Sequence, residues 1–423
     1  MKNERASAVS LWIAVGLILL AQSYVHAKTT ITVWDWKGPS TPQIQQWFNW
    51  IETTFEERNP DIEIDFQLGV QDYIDKFITA QAAGIPPDVF YSSVAWARDL
   101  FDEGYFRELN PYIAKSEILK IDDFLPVTLV YSTKDGRIYG IPFKLDAAAL
   151  VYNRQHLREA GIDPSPTSLS SWDDFINAAK RLTRSNGGEI TRSGFTPANS
   201  LEAFTAWLHS NGGFFYNDDY TGSAFQSERG WQTLALMADL TSGLNIYSPP
   251  TSNFSQGTAS MRYWGTFAPP YIQAENPDLD FAITNFPVGP WGTSRGTTTW
   301  ANMFTIPAGA AHPDEAWRYI EFVTSLESEL KLLEFADEPG APRLDFYRSA
   351  LFLEKAAEND WMRFIPDVYQ SGGPYPFLRF SDVNREVAPF ISRAANGQIS
   401  VTEAILRMSE ATDRILRSVP ADR

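Results

Sequence analysis

Four groups of aromatic side chains fall where strands are expected to end or begin: Trp34 and Trp36, Tyr91 and Trp96, Tyr263 and Trp264, and Trp300 just ahead of Met303–Ile306. In open α/β sheets, ligands sit outside the carboxyl ends of the strands. Flat rings held there stack on the C–H faces of a sugar, while amides and carboxylates hydrogen-bond its hydroxyls in a dry cleft. Core packing explains any one of these residues. Four clusters at the same kind of place point to a binding surface. Lys144 and Asp146 follow Ile141-Pro142-Phe143, where a chain crossing sets them at a lobe interface, with a surface salt bridge as the plain alternative. Arg343, on the loop Gly340-Ala341-Pro342-Arg343, is placed to reach an anion or a hydroxyl, or else is a solvated loop charge. Gln71 and Asn302 are weaker polar candidates.

Other chemistries lack their signatures. There is no Gly-x-Ser-x-Gly elbow, no phosphate-binding Walker loop and no His-Glu-x-x-His. His156, His209 and His312 are widely spaced and show no metal-ligand spacing, so neither cofactor nor metal is expected. Acidic residues are plentiful, but nothing singles out the carboxylate pair that glycoside hydrolysis needs. The net charge of −17 disfavours nucleic acid and anionic membranes, which would repel the chain. Fourteen Trp, 17 Tyr and 28 Phe exceed what a core alone calls for, a further hint of binding surface.

Lys2 and Arg5, an apolar run from Leu11 to Ala21, and Val25-His26-Ala27 together read as a cleavable export signal over residues 1–27. The run is well short of the about 20 residues that span a bilayer. With no cysteine in the chain, a lipid anchor on an N-terminal cysteine is impossible and no disulfides contribute to stability. The expectation is a protein free in a periplasm-like space.

The elements that must hold these residues alternate. Thr29–Asp35 reads as a strand, and Thr41-Pro42 as the start of a helix with Ile44, Trp47, Phe48, Ile51 and Phe55 on one face. Ile62–Leu68 alternates as a second strand, Asp72–Ala83 as a helix, and Pro87–Tyr91 as a third strand. This order predicts a parallel, helix-covered sheet. The pattern resumes with a strand over Ala147–Asn153, helices opening at Ser171 and over Leu201–Asn211, a helix from Asp314, and two closing helices, Val383–Asn396 and Val401–Ser418. No repeat and no low-complexity linker interrupts it.

Laid end to end, several short segments resemble the extracellular solute-binding protein family 1, the periplasmic sugar-binding components of ABC importers. They are Ile31-Thr32-Val33-Trp34, Phe55–Ile62 with Pro87-Asp88-Val89, Gly136–Pro142 through Leu150–Asn153, Ala160-Gly161-Ile162, Ser171–Phe175, Asn211-Gly212-Gly213 and Pro313–Trp317 with Phe322-Val323-Thr324. Each is weak alone; their order and spacing carry the resemblance. It implies a two-lobed α/β periplasmic-binding-protein fold (type II-like), with the ligand cleft between lobes and several hinge crossings. Lobe one would be 28–142 plus 300–345, and lobe two 145–296 plus 350–423. The family's cleft positions fall on Trp36, Ser93, Trp96, Lys144, Asp146, Trp264, Trp300 and Arg343. Ser92-Ser93 stands where many members carry an acidic residue, and Thr299-Trp300-Ala301-Asn302 where many carry a Gly-Gly-Trp-Gly-like turn.

The expected function is therefore a monomeric periplasmic receptor, not an enzyme, that closes on a carbohydrate and presents it to ABC permease subunits. Two alternatives stand beside it. One is a binding protein for a polyol, glycerophosphodiester or compatible solute; the other is a secreted glycan hydrolase.

Overall fold

Strand β1 (Thr29–Asp35) buries Ile31, Val33 and Asp35 by simple alternation. The computed structural model describes residues 28–418, so the export-signal reading of residues 1–27 lies outside the described residues. After β1 the Thr41 hydroxyl accepts from the Ile44 N–H at 3.2 Å and Pro42 opens helix α1 (Pro42–Arg58). That cap and the proline at the first helical position satisfy the helix start locally. The helix buries Trp47, Phe48, Ile51 and Phe55; Ile44, expected on the same face, is only half-buried. Strand β2 (Ile62–Leu68), helix α2 (Tyr73–Ala82), strand β3 (Val89–Ser93) and helix α3 (Val94–Asp102) follow. Both β2 and β3 pair with β1 in parallel, as their alternation with helices requires.

After helix α4 (Pro126–Ser132) comes strand β4 (Ile141–Asn153), 13 residues long and buried at every position but Lys144. The sequence suggested separate segments on either side of Lys144 and Asp146; they form one strand because Thr299–Phe304 pair with its first half and Met261–Gly265 with Ala148–Tyr152. Helices α5 (Trp172–Leu182), α6 (Leu201–Ser210) and α7 (Glu228–Ala238) lead to strand β5 (Met261–Gly265), helix α8 (Ala268–Glu275) and strand β6 (Phe281–Thr284). Strand β7 (Thr297–Thr305) then returns antiparallel to β4 and β3. Helices α9 (Pro313–Val323) and α10 (Leu326–Ala336), strand β8 (Gly372–Pro374) and helices α11 (Phe380–Ala395) and α12 (Val401–Arg417) complete the chain. None of the described helices is long and apolar enough to cross a membrane.

The sheet has eight strands in the order β6-β4-β7-β3-β1-β2, with β5 on β4 and β8 on β7. It is therefore mixed, not all parallel. Long strands β4 and β7 run through both halves. The parallel β2-β1-β3 group flanks one end, and β5 and β6 pair with the other end of β4. Each half has its own outer core. Ile31, Phe55, Ile64 and Ile320 build the first; Leu150, Phe204, Trp207, Val387 and Met408 build the second. A third core runs beneath both halves, joining Phe77 and Phe90 to Leu145, Ala147, Ile272 and Phe281. Phe346, Trp361, Tyr369 and Tyr375, from the segment before α11, pack into this shared core.

Candidate functional site

Strand β1 ends at Asp35, a carboxyl strand end of the kind where ligands bind in such sheets. Asp35 Oδ1 accepts the N–H groups of Lys37 at 2.7 Å and Gly38 at 3.2 Å, folding the chain back over the strand end. Gly38 has φ +60°, and a Cβ there would stand 3.1 Å from Gly69 N, so the turn requires glycine. The turn sets Trp36 and Lys37 on the wall of a cavity of about 670 Å³.

Strand β4 supplies the floor. Its pairing with β7 slips between Asn302 and Met303, leaving Phe143 as an extra residue. Such a bulge turns two successive side chains towards one side. Phe143 and Lys144 accordingly both line the cavity, joined by Asp146 two residues on. Trp300 stands opposite Asp146 in the ladder, and Asn302 opposite Lys144. Lys144 Nζ donates to Glu338 Oε2 at 2.7 Å. Burial works to lower the Lys144 pKa, but the Glu338 and Asp146 carboxylates outweigh it and hold it above the usual lysine value. Burial pushes Asp146 up against the pull of Lys144 and Lys37. It pushes Asp35 up against its two N–H donors. Lys37 remains exposed, yet protein crowding around the cleft, followed by repulsion from Lys144, lowers its pKa. Its ammonium lies 4.9 Å from the Trp36 ring centre.

The far wall comes from the start of α8. Phe267 and Tyr271, one turn apart, are 38% and 60% exposed and face the cavity with Pro270 between them. Solvent-open aromatics on a cavity wall are groups a ligand would cover. Thus the cavity has an aromatic wall from each half of the molecule and a charged floor where the two long strands cross.

Of the residues expected in the cleft, Trp36, Lys144, Asp146 and Trp300 come together on this one cavity. Trp96 packs edge-on against Trp36 at 5.5 Å and lines a neighbouring depression of about 410 Å³ with Gln71, Asp72 and Asp75. Trp36 borders both spaces. Ser93 caps α3, its hydroxyl accepting the Ala95 N–H at 3.3 Å. Trp264 does not line the cavity: it carries the Arg262 guanidinium over its ring at 4.0 Å and packs on the shared core. Arg343 is elsewhere too. It is 4% exposed, paired with Asp345 at 2.7 Å and Asp123 at 3.2 Å, and lies over the Phe124 ring. Those partners consume its donors, which is why the cleft position that the sequence suggested for it is not taken up.

Asp35, Lys37, Phe143, Glu338, Phe267 and Tyr271 were not anticipated. The run Asp35-Trp36-Lys37-Gly38, with a charge on each side of a strand-end tryptophan, held a signal for the first two. Phe267-Ala268-Pro269-Pro270-Tyr271 held another, since aromatics four apart at a proline-started helix share a face. Glu338 had none: only the packing of α10 brings it to Lys144.

The chain matches the model of the bacterial extracellular solute-binding protein family over residues 38–329. A binding protein of Brucella abortus (strain 2308) is 24% identical over 320 residues, 73% of this chain and 75% of the relative. The lactose-binding protein of Rhizobium radiobacter is 21% identical over 377 residues, 83% of this chain and 81% of its own. Among solved structures, the sugar-binding protein MalE from Xanthomonas citri superposes with a TM-score of 0.79 at 20% identity, covering 92% of this chain and 98% of that one. This protein therefore has the two-lobed fold of such binding proteins and belongs to the bacterial extracellular solute-binding protein family.

Proposed function

We propose that this chain is a periplasmic receptor that holds a neutral carbohydrate between its lobes and passes it unchanged to the permease of an ABC importer. The observation that carries this reading is the cavity itself. Aromatic faces from both halves, Trp36 on one side and Phe267 with Tyr271 on the other, flank a floor of hydrogen-bonding groups. That combination fits a ring with apolar C–H faces and a hydroxyl rim. The floor charges are largely matched within the protein. Lys144 is committed to Glu338 and Asp35 to two backbone N–H groups, so a neutral ligand leaves no charge newly unpaired. The relatives named for lactose and for sugars support the same class.

The phosphorylated-solute alternative loses ground. With Arg343 away from the cleft and Lys144 engaged, Lys37 is the one uncommitted ammonium among the described residues that line the cavity, and it faces Asp35, Asp146 and Glu338. A phosphate would meet more negative than free positive charge. Export to the periplasm with cleavage of residues 1–27, the absence of a lipid anchor, and action as a monomer belong to the same proposal.

Calorimetric titration of the purified protein with a saccharide panel, followed by chromatography of the recovered ligand, tests it. The proposal expects one-to-one binding of at least one neutral saccharide, recovered intact. Cleaved product would replace it with the hydrolase reading, and binding confined to phosphorylated compounds would replace it with the non-sugar reading, of the glycerophosphodiester kind.

A further inference from the structure

Arg295, between β6 and β7, lines a pocket of about 320 Å³ that shares no residue with the cleft cavity. Its guanidinium clamps the turn Pro166–Leu169 ahead of α5. One terminal nitrogen donates to the Pro166 carbonyl at 2.6 Å and to that of Leu169; the other donates to Thr284 Oγ1 at 2.6 Å. All three acceptors are neutral, so they satisfy hydrogen bonds without balancing the charge. Arg154, Arg192 and Arg343, also buried or half-buried, each pair with a carboxylate. Arg295 pairs with none among the described residues, and burial lowers its pKa with only Tyr152 acting the other way. Two buried groups share the pocket wall. Thr284 is 4% exposed, and its oxygen accepts from Arg295 while its own O–H stays free to donate. Asn285 is 6% exposed; its Nδ2 donates to the Asp367 carbonyl at 3.3 Å, and its Oδ1 has no partner. A buried carbonyl oxygen without a donor is costly unless something supplies one. Phe364 and Val368 give the pocket an apolar side, and exposed Asp367 gives it a negative rim.

We propose that the Arg295 pocket is a second ligand site, separate from the cleft, that takes a small hydroxy carboxylate carrying a single negative charge. The carboxylate balances Arg295 and accepts the Thr284 O–H. The hydroxyl group supplies the donor that Asn285 Oδ1 lacks, and a short carbon chain lies against Phe364 and Val368. Asp367 limits the charge the site accepts, because the second charge of a phosphate would face it at the rim. A neutral polyol would leave Arg295 unbalanced. The site does not depend on the carbohydrate reading of the cleft.

Calorimetric titration of the purified protein with lactate, acetate and inorganic phosphate, at constant ionic strength in a buffer free of carboxylates, tests it. Lactate should bind one-to-one, about five- to tenfold tighter than acetate, which lacks the hydroxyl, and tighter than phosphate. Asn285→Ala removes the acceptor and should bring lactate down to the level of acetate, with acetate unchanged. Asn285→Asp adds a carboxylate to the wall and should weaken lactate about tenfold or more. Both variants keep the Arg295 clamp, so loss of folding does not stand in for loss of binding. Lys37→Met, in the cleft, should leave lactate affinity within about twofold. The site would be overturned by no saturable binding of lactate, by equal affinity for lactate and acetate, or by tighter binding of phosphate. It would equally be overturned by a lactate affinity that survives in Asn285→Asp or collapses in Lys37→Met. Saccharide binding is measured separately, so failure of either claim leaves the other standing.

Discussion

Replacing Glu338 with Gln is the sharpest probe of how the cavity floor balances its charge. The Lys144–Glu338 pair has an N–O separation of 2.7 Å, with side chains 19% and 23% exposed. At an effective dielectric constant near 20, the attraction at that distance is about 6 kcal/mol before desolvation. Removing both ions from water offsets most of it. With about a fifth of each side chain still wet, the net coupling falls between exposed and buried pairs, about 1–3 kcal/mol. Glu338→Gln should therefore lower ligand-free stability by about that amount, because the largely buried Lys144 ammonium loses its hydrogen-bonded partner and one of its two chief carboxylates. Lys144→Met should cost a similar amount by leaving Asp146 and Glu338 facing each other with only the more exposed Lys37 to offset them. The double variant should be less destabilised than the sum of the two, and urea unfolding of all four proteins near pH 7 measures the difference. Strict additivity would refute the pairing, and with it the argument that Lys144 is not reserved for an anionic ligand.

Three other outcomes follow from the same geometry. Trp36→Ala and Phe267→Ala should each weaken saccharide binding about tenfold through lost stacking, whereas Trp264→Ala should leave affinity within about twofold; calorimetry decides, and equal losses in all three would contradict the cavity as drawn. Arg343→Ala should lower stability by about 2–4 kcal/mol by stranding Asp345 and Asp123 and uncovering Phe124, with saccharide affinity unchanged in titrations. Glu329 is 3% exposed, and burial holds its carboxyl well above the usual range against Arg343 and Lys144. Because its folded pKa is raised, its contribution to stability is complete below the unfolded value of about 4.3 and is lost as pH climbs towards the folded one. Glu329→Gln should remove that part of the decline, and urea midpoints for the two proteins that run parallel from pH 5 to 8 would contradict this.

Much of the fold was legible in local pattern. The alternation in Thr29–Asp35, the Thr41-Pro42 start and the helix-spaced Trp47, Phe48, Ile51 and Phe55 appear where periodicity put them, because each depends on neighbours in sequence. What stayed hidden depends on distant pairing. That β4 is one strand, that its bulge turns Phe143 and Lys144 to the same side, and that β7 makes the sheet mixed all follow from contacts about 150 residues apart in sequence. The site divides the same way. Trp36 and Trp300 stand beside the turn and the strand crossing that position them. Arg343 went astray because an arginine in a loop carries no mark of the Asp123 that folds onto it, and Glu338 was unseen for the same reason.

A thermal-shift screen of the ligand-free protein against neutral mono- and oligosaccharides, polyols and phosphorylated polyols tests the central claim most directly. At about 100 times its Kd a ligand adds about 2.7 kcal/mol, enough to raise the Tm by a few degrees. The account predicts such a rise with a related set of neutral saccharides, and its loss in Trp36→Ala. A rise confined to phosphorylated or charged compounds, or one that Trp36→Ala leaves intact, would contradict it.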